Sequence, residues 1–115
     1  MISLYESILK STGSGKDAIE LDGYHIGDIA VSDHSYESRH VYFYEITSIK
    51  GKTITVKRLL QKIVSGNLQN GTCMPILGKY DTTPEIKCRV GKRGLRIDDY
   101  YTYKWNGEPE QFYTD

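Results

Sequence analysis

Cysteine, proline and tryptophan are scarce in this chain, which has two, three and one of them in 115 residues. Two cysteines, Cys73 and Cys88, can form at most one disulfide, so an apolar core must hold the fold. No apolar run approaches the ~20 residues that a membrane-spanning helix needs. The opening Met1-Ile2-Ser3-Leu4-Tyr5-Glu6 lacks the basic-then-apolar layout of a secretory leader. Together these absences predict a cytoplasmic protein without membrane contact, with both cysteines as free thiols and Cys88 buried. Net charge is also missing, because 15 Lys/Arg balance 15 Asp/Glu. Neutrality argues against a protein that mimics DNA, which should be strongly acidic.

Hydrolytic chemistry lacks its usual residues. There is no Gly-x-Ser-x-Gly, no cysteine beside a histidine and no His-x-x-x-His, so neither nucleophilic nor metal-assisted catalysis has a candidate. Gly13-Ser14-Gly15-Lys16 resembles part of a phosphate loop. The full spacing fails, because Lys10 stands where glycine is required and Asp17 where Ser or Thr is. Asp33, His34 and His40 could be imagined around a metal, but no fourth ligand is placed by spacing and they read as solvated loop residues. The adjacent acids Asp98 and Asp99 would point to opposite faces of a strand and cannot share a proton. The expectation is a non-enzymatic protein with no cofactor and no metal.

What is present is tyrosine, ten residues of it, and a period of two. Ile29 and Val31, Val41 and Phe43, Ile54 and Val56, Ile86 with Cys88 and Val90, and Leu95 with Ile97 each alternate with polar neighbours, which predicts five strands. Lys50-Gly51-Lys52 and Gly91-Lys92-Arg93-Gly94 read as hairpin turns. Tyr100 to Trp105 makes a sixth strand, stopped at Asn106-Gly107-Glu108-Pro109. Asn70-Gly71-Thr72 fits the glycosylation triplet but reads as a turn. Residues 59–84 carry five glycine or proline breaks and read as a strand fragment and a long loop. Ile2, Tyr5, Ile8 and Leu9 share one face of a short helix over about 2–10, and Ser11 to Gly15 is a flexible linker. The expected fold is therefore one all-β domain: a small SH3-like or related partly open antiparallel barrel of five to six strands, over about 24–114, with one short N-terminal helix.

The run Gly27-Asp28-Ile29-Ala30-Val31-Ser32-Asp33, the segment Val41 to Ile46 and the Trp105-Asn106-Gly107-Glu108-Pro109 element together resemble a group of small accessory proteins of bacteriophages and mobile elements. The resemblance spans about residues 24–114. Asn106 and Glu108 depart from the group's Trp-Asp-Gly-Lys-Pro. The resemblance implies a context, action on host machinery or on nucleic acid, and no particular chemistry.

Charge is strongly segregated. Residues 1–50 carry four Lys/Arg against eight Asp/Glu, a balance of −4; residues 51–96 carry ten against two, +8; residues 97–115 carry one against five, −4. Lys57, Lys87, Arg89 and Arg96 occupy the outward register of their strands, with Lys92 and Arg93 in a turn, so closure of the barrel predicts a basic face. Two partner classes follow. In the first, the chain occludes a host protein, for example a CRISPR effector or another defence component, using Tyr42, Tyr44, Tyr101, Tyr103 and Trp105 as anchors. In the second, it binds nucleic acid through Lys57, Lys87, Arg89, Lys92, Arg93 and Arg96. A small virion component is a third class, which self-association would favour.

Overall fold

The computed structural model describes residues 17–35 and 37–114. The helix expected over 2–10 and the linker over 11–15 lie outside the described residues, among which there is no helix. In chain order the strands are β1 (Asp17–Ala18), β2 (Glu20–Leu21), β3 (Tyr24–His25), β4 (Ile29–Ser35), β5 (Arg39–Lys50), β6 (Thr53–Gly66), β7 (Asn70–Tyr80), β8 (Ile86–Gly91), β9 (Gly94–Ile97), β10 (Tyr100–Lys104) and β11 (Glu110–Tyr113).

Six of these strands close a ring. β4 pairs with β5, β5 with β6, β6 with β8, β8 with β9, β9 with β10, and β10 returns to β4, all antiparallel. They are the five strands that the alternation predicts and the sixth expected over Tyr100 to Trp105. The barrel was expected to be partly open, but Thr102 of β10 pairs with Ser32 of β4 and completes the circuit. Closure removes the open edges that a flat sheet of these strands would expose.

Residues 59–84 depart most from expectation. The long loop foreseen there is a hairpin: β6 continues past the barrel and pairs with β7 from Leu59 opposite Tyr80 to Gly66 opposite Gly71. Gly66 and Gly71 act here as a close strand crossing and not as chain breaks. A Cβ on Gly66 would lie 2.2 Å from the Asn70 carbonyl oxygen, and one on Gly71 would lie 2.1 Å from that of Ser65. β7 then pairs with β11, which touches β5 where Tyr113 faces Arg39. A second, smaller circuit of β5, β6, β7 and β11 therefore shares two strands with the barrel.

Two circuits make two cores. Ala30, Tyr44, Ile46, Ile49, Ile54, Val56, Cys88, Leu95 and Ile97 fill the barrel, while Val31, Val41, Phe43, Leu59 and Cys73 form the second cluster with Ile29, Trp105 and Phe112 against it. β5 lies between them. Its residues Val41 and Phe43 face one core and Tyr44 and Ile46 the other, so both registers are buried. The alternation expects Val41 and Phe43 as the core register of β5 and leaves Tyr42 and Tyr44 as partner anchors. A strand covered on both faces has no solvent register, and Tyr44 is only 4% exposed.

Both cysteines are free and buried, as expected. The Cys88 thiol donates to the Ile54 carbonyl, and burial pushes its pKa up to about 11. No helix among the described residues is long and apolar enough to cross a membrane.

Candidate functional site

The outer face of the barrel at β8, β9 and β10 is built by two tight turns. Gly91 faces Gly94 across the two-residue turn Lys92-Arg93. Ile97 faces Tyr100 across Asp98-Asp99, whose φ values of 47° and 69° both lie in the left-handed region, as in the type I′ turns that match strand twist. Asp98 and Asp99 are thus turn residues, where a strand was expected.

With those turns fixed, the register places Arg89 directly opposite Arg96, and Arg96 opposite Tyr101. Like charges facing one another across a ladder repel. The Arg96 guanidinium carbon lies 5.8 Å from the Tyr101 ring centroid and that of Arg93 lies 5.9 Å from it. The ring also lies beside Gly91, whose missing side chain leaves it room, 3.7 Å from where a Cβ would stand. Lys87 is two residues before Arg89 on the same face of β8, and Lys92 is exposed in the turn. The face thus gathers two guanidinium groups about an exposed aromatic ring, a combination suited to phosphate oxygens and a stacked base. Asp99 bonds Arg96 at 2.9 Å but is 89% exposed, so it screens the arginine weakly.

Of the six basic residues expected to act together, Lys87, Arg89, Lys92, Arg93 and Arg96 share the β8–β9 hairpin. Lys57 stands apart on β6, 3.8 Å from Glu85 and 5.2 Å from the Tyr80 ring centroid, opposite Glu45.

The five aromatic anchors do not form one patch. Tyr44 is core, as described above, and burial raises its hydroxyl pKa. Tyr42 is half-buried under the Arg58 guanidinium, 4.9 Å from it. Trp105 packs edge-on against Phe43 at 6.0 Å and donates its Nε1–H to the Glu108 carbonyl at 2.7 Å. Tyr103 is exposed, but its hydroxyl donates to Glu110 and accepts from Arg39. Burial and the Glu110 bond push its pKa up to about 12. Tyr101 is exposed too and belongs with the arginines. Its grouping with the other aromatic anchors fails because the Asp98-Asp99 turn aligns it with Arg96.

Asp33, His34 and His40 are strand residues, not loop residues. His34 stacks on Tyr100 at 3.7 Å, shares a 2.8 Å hydrogen bond with Ser32 and faces His40 across the ladder. Burial lowers the His34 pKa. The two histidines line an open cavity of about 300 Å³ with Ser35, Glu37, Ser38 and Tyr100. Asp33 binds Arg39 at 2.9 Å. Among the described residues no group of three or more His, Cys, Asp or Glu is arranged to hold a metal.

Compared with protein-family models, with curated proteins and with solved structures, the chain matches none.

Proposed function

We propose that this chain is a non-enzymatic binding module that takes a nucleic-acid backbone on the β8–β9–β10 face, with Tyr101 as stacking platform and Arg89, Arg93 and Arg96 as phosphate ligands. The observation that carries this is the Arg89–Arg96 opposition. Like charges directly opposed on a sheet repel in the free protein, and an anion bound beside them relieves that repulsion. The ring closed by β10 supports an SH3-like kind of barrel, with the cationic face on its outside.

The test is affinity for a mixed-sequence single strand measured at several salt concentrations. Each phosphate neutralised should contribute a slope of about −0.7 in log affinity against log salt. Arg89→Ala and Arg96→Ala should each flatten the slope by roughly one such unit, whereas Lys57→Ala should not. Binding that is absent, or indifferent to salt and to Arg89, sinks the proposal.

Occlusion of a host protein, a phage-type defence inhibitor included, is favoured second by a different observation: β10 presents Tyr100, Tyr101 and Tyr103, each 42–43% exposed. Tyrosine concentrated on one strand suits a protein contact. Capture of a host protein that survives nuclease and is lost in Tyr103→Ala would move this ahead of nucleic acid.

A further inference from the structure

The β4–β5 hairpin carries two of the three histidines in the chain. Its register sets His34 directly opposite His40. Residues that face each other across an antiparallel ladder project from the same face, with Cβ atoms about 4.5–5.5 Å apart. A single ion about 2.0–2.1 Å from one nitrogen of each imidazole fits that spacing.

The surroundings hold His34 in place. Its Nε2 shares the 2.8 Å hydrogen bond with the hydroxyl of Ser32, which is fully buried two residues earlier on β4. Its ring lies 3.7 Å from that of Tyr100 at an interplanar angle of 15°, and meets Tyr42 at a tilt, 4.9 Å away. A hydrogen bond from a buried partner to one ring nitrogen fixes the imidazole and leaves the other nitrogen to coordinate, the arrangement common behind metal-bound histidines. Nδ1 of His34 and both nitrogens of His40 have no hydrogen-bonded partner among the described residues. Both histidines line the open cavity of about 300 Å³ together with Glu37, and no Lys or Arg lines it. The donor set selects the metal. Ca²⁺ and Mg²⁺ take oxygen ligands, whereas imidazole suits late first-row ions, for which affinity peaks at Cu²⁺.

We propose that His34 and His40 together bind one late first-row divalent ion, Cu²⁺ ahead of Ni²⁺ and Zn²⁺, with its remaining positions open to the cavity. Two imidazoles are fewer protein ligands than a catalytic zinc centre uses. The ion is therefore held openly enough to take water or a donor atom from a partner. Neither ligand lies on β8, β9 or β10, so the site is separate from the basic face. It replaces the expectation that these two histidines are only solvated.

The test uses the full chain, stripped of metal with a chelator and titrated with Cu²⁺ alone. One equivalent should be taken up saturably, with the hyperfine pattern of two imidazole nitrogens in the electron paramagnetic resonance spectrum. His40→Gln and His34→Gln should each lose that pattern and weaken uptake by roughly tenfold or more, while Ser32→Ala should keep the pattern and weaken uptake by roughly ten- to a hundredfold. His25, the third histidine, sits on β3 beside Asp28, and His25→Gln should leave uptake unchanged. With Zn²⁺ as the probe, the ring signals of His34 and His40 should move in the nuclear magnetic resonance spectrum and those of His25 should not. Circular dichroism matching the parent shows that each variant is folded; if His34→Gln disturbs the hairpin, His40→Gln at its exposed position carries the same expectation. A parent without saturable uptake overturns the proposal. So does uptake that survives when both histidines are replaced, which is an adventitious ion only, or uptake that His25→Gln abolishes. None of these outcomes depends on nucleic-acid binding.

Discussion

The two cores differ in how they are assembled. The barrel core draws its nine buried residues from five strands joined mostly by short turns, and the ring that encloses it has no open edge. The second core has five buried residues and is roofed by β7, the far half of β6, and β11. Among the described residues its roof has an open edge, and its lining includes partly exposed Trp105 and Phe112. The difference teaches that β5 couples a well-enclosed core to a thin one. A defect on either side of β5 must disturb the strand that both share.

The strongest way to break this comparison is Phe43→Ala. Phe43 is fully buried in the thin core yet belongs to the shared strand. The loss should be about 3–5 kcal/mol, as large as for a barrel residue, because the cavity cannot collapse without moving β5. Leu95→Ala, inside the barrel alone, should cost about 2–5 kcal/mol. Both should unfold in urea as one transition. Two separated transitions in Phe43→Ala would show that the cores are independent.

A smaller effect separates the cores by hydrogen bonding. The Thr102 hydroxyl is buried and donates to the Leu95 carbonyl at 2.9 Å. Thr102→Val should cost about 1–3 kcal/mol by leaving that carbonyl short of a partner. Amide exchange should sharpen the contrast, with residues 54–56 of β6 slow and residues 60–66 fast. Equal protection along β6 would remove the distinction between enclosed and open halves.

The smallest expected effect is the response to acid at the barrel mouth. Burial lowers the folded-state pKa of His34 below its ordinary 6.5. The unfolded chain therefore binds the proton more readily. The contribution is whole above pH 6.5 and is lost as the pH falls below it. The melting temperature should fall through that window in the parent, and His34→Gln should show a shallower fall. An identical slope in both would assign the acid response to other groups.

The barrel was legible in the sequence because β6, β8 and β9 bury one register inside the ring, while in β4 and β5 the alternation of Ile29 with Val31 and of Val41 with Phe43 marks the second core. Ile54 with Val56 and Leu95 with Ile97 show the first of these directly. The second circuit was not legible. Leu60, Ile63 and Val64 lie on an exposed edge where nothing imposes alternation, and Gly66, Gly71 and Pro75 resemble loop residues while they serve as strand residues. β11 is four residues long and its pairing with β7 spans the chain from position 73 to 110, a separation that no local pattern encodes. For the site, outward Lys87, Arg89 and Arg96 were visible from the register of β8 and β9. Their union with Tyr101 was hidden in the Asp98-Asp99 turn, since two acids carry a weaker turn signal than Asn-Gly or Asp-Gly. The ten tyrosines could not be sorted into core and surface by composition, because the same residue serves both.

The position of β11 has a consequence for how the two interiors are secured. The ring is complete with β10, which ends at Lys104, and its closure takes no pairing from β11 at Glu110–Tyr113. The second core does depend on it: Phe112 packs against the cluster of Phe43 and Cys73, and Arg39 fastens the strand through the Gln111 carbonyl. β11 therefore acts as a latch on one interior while leaving the other untouched.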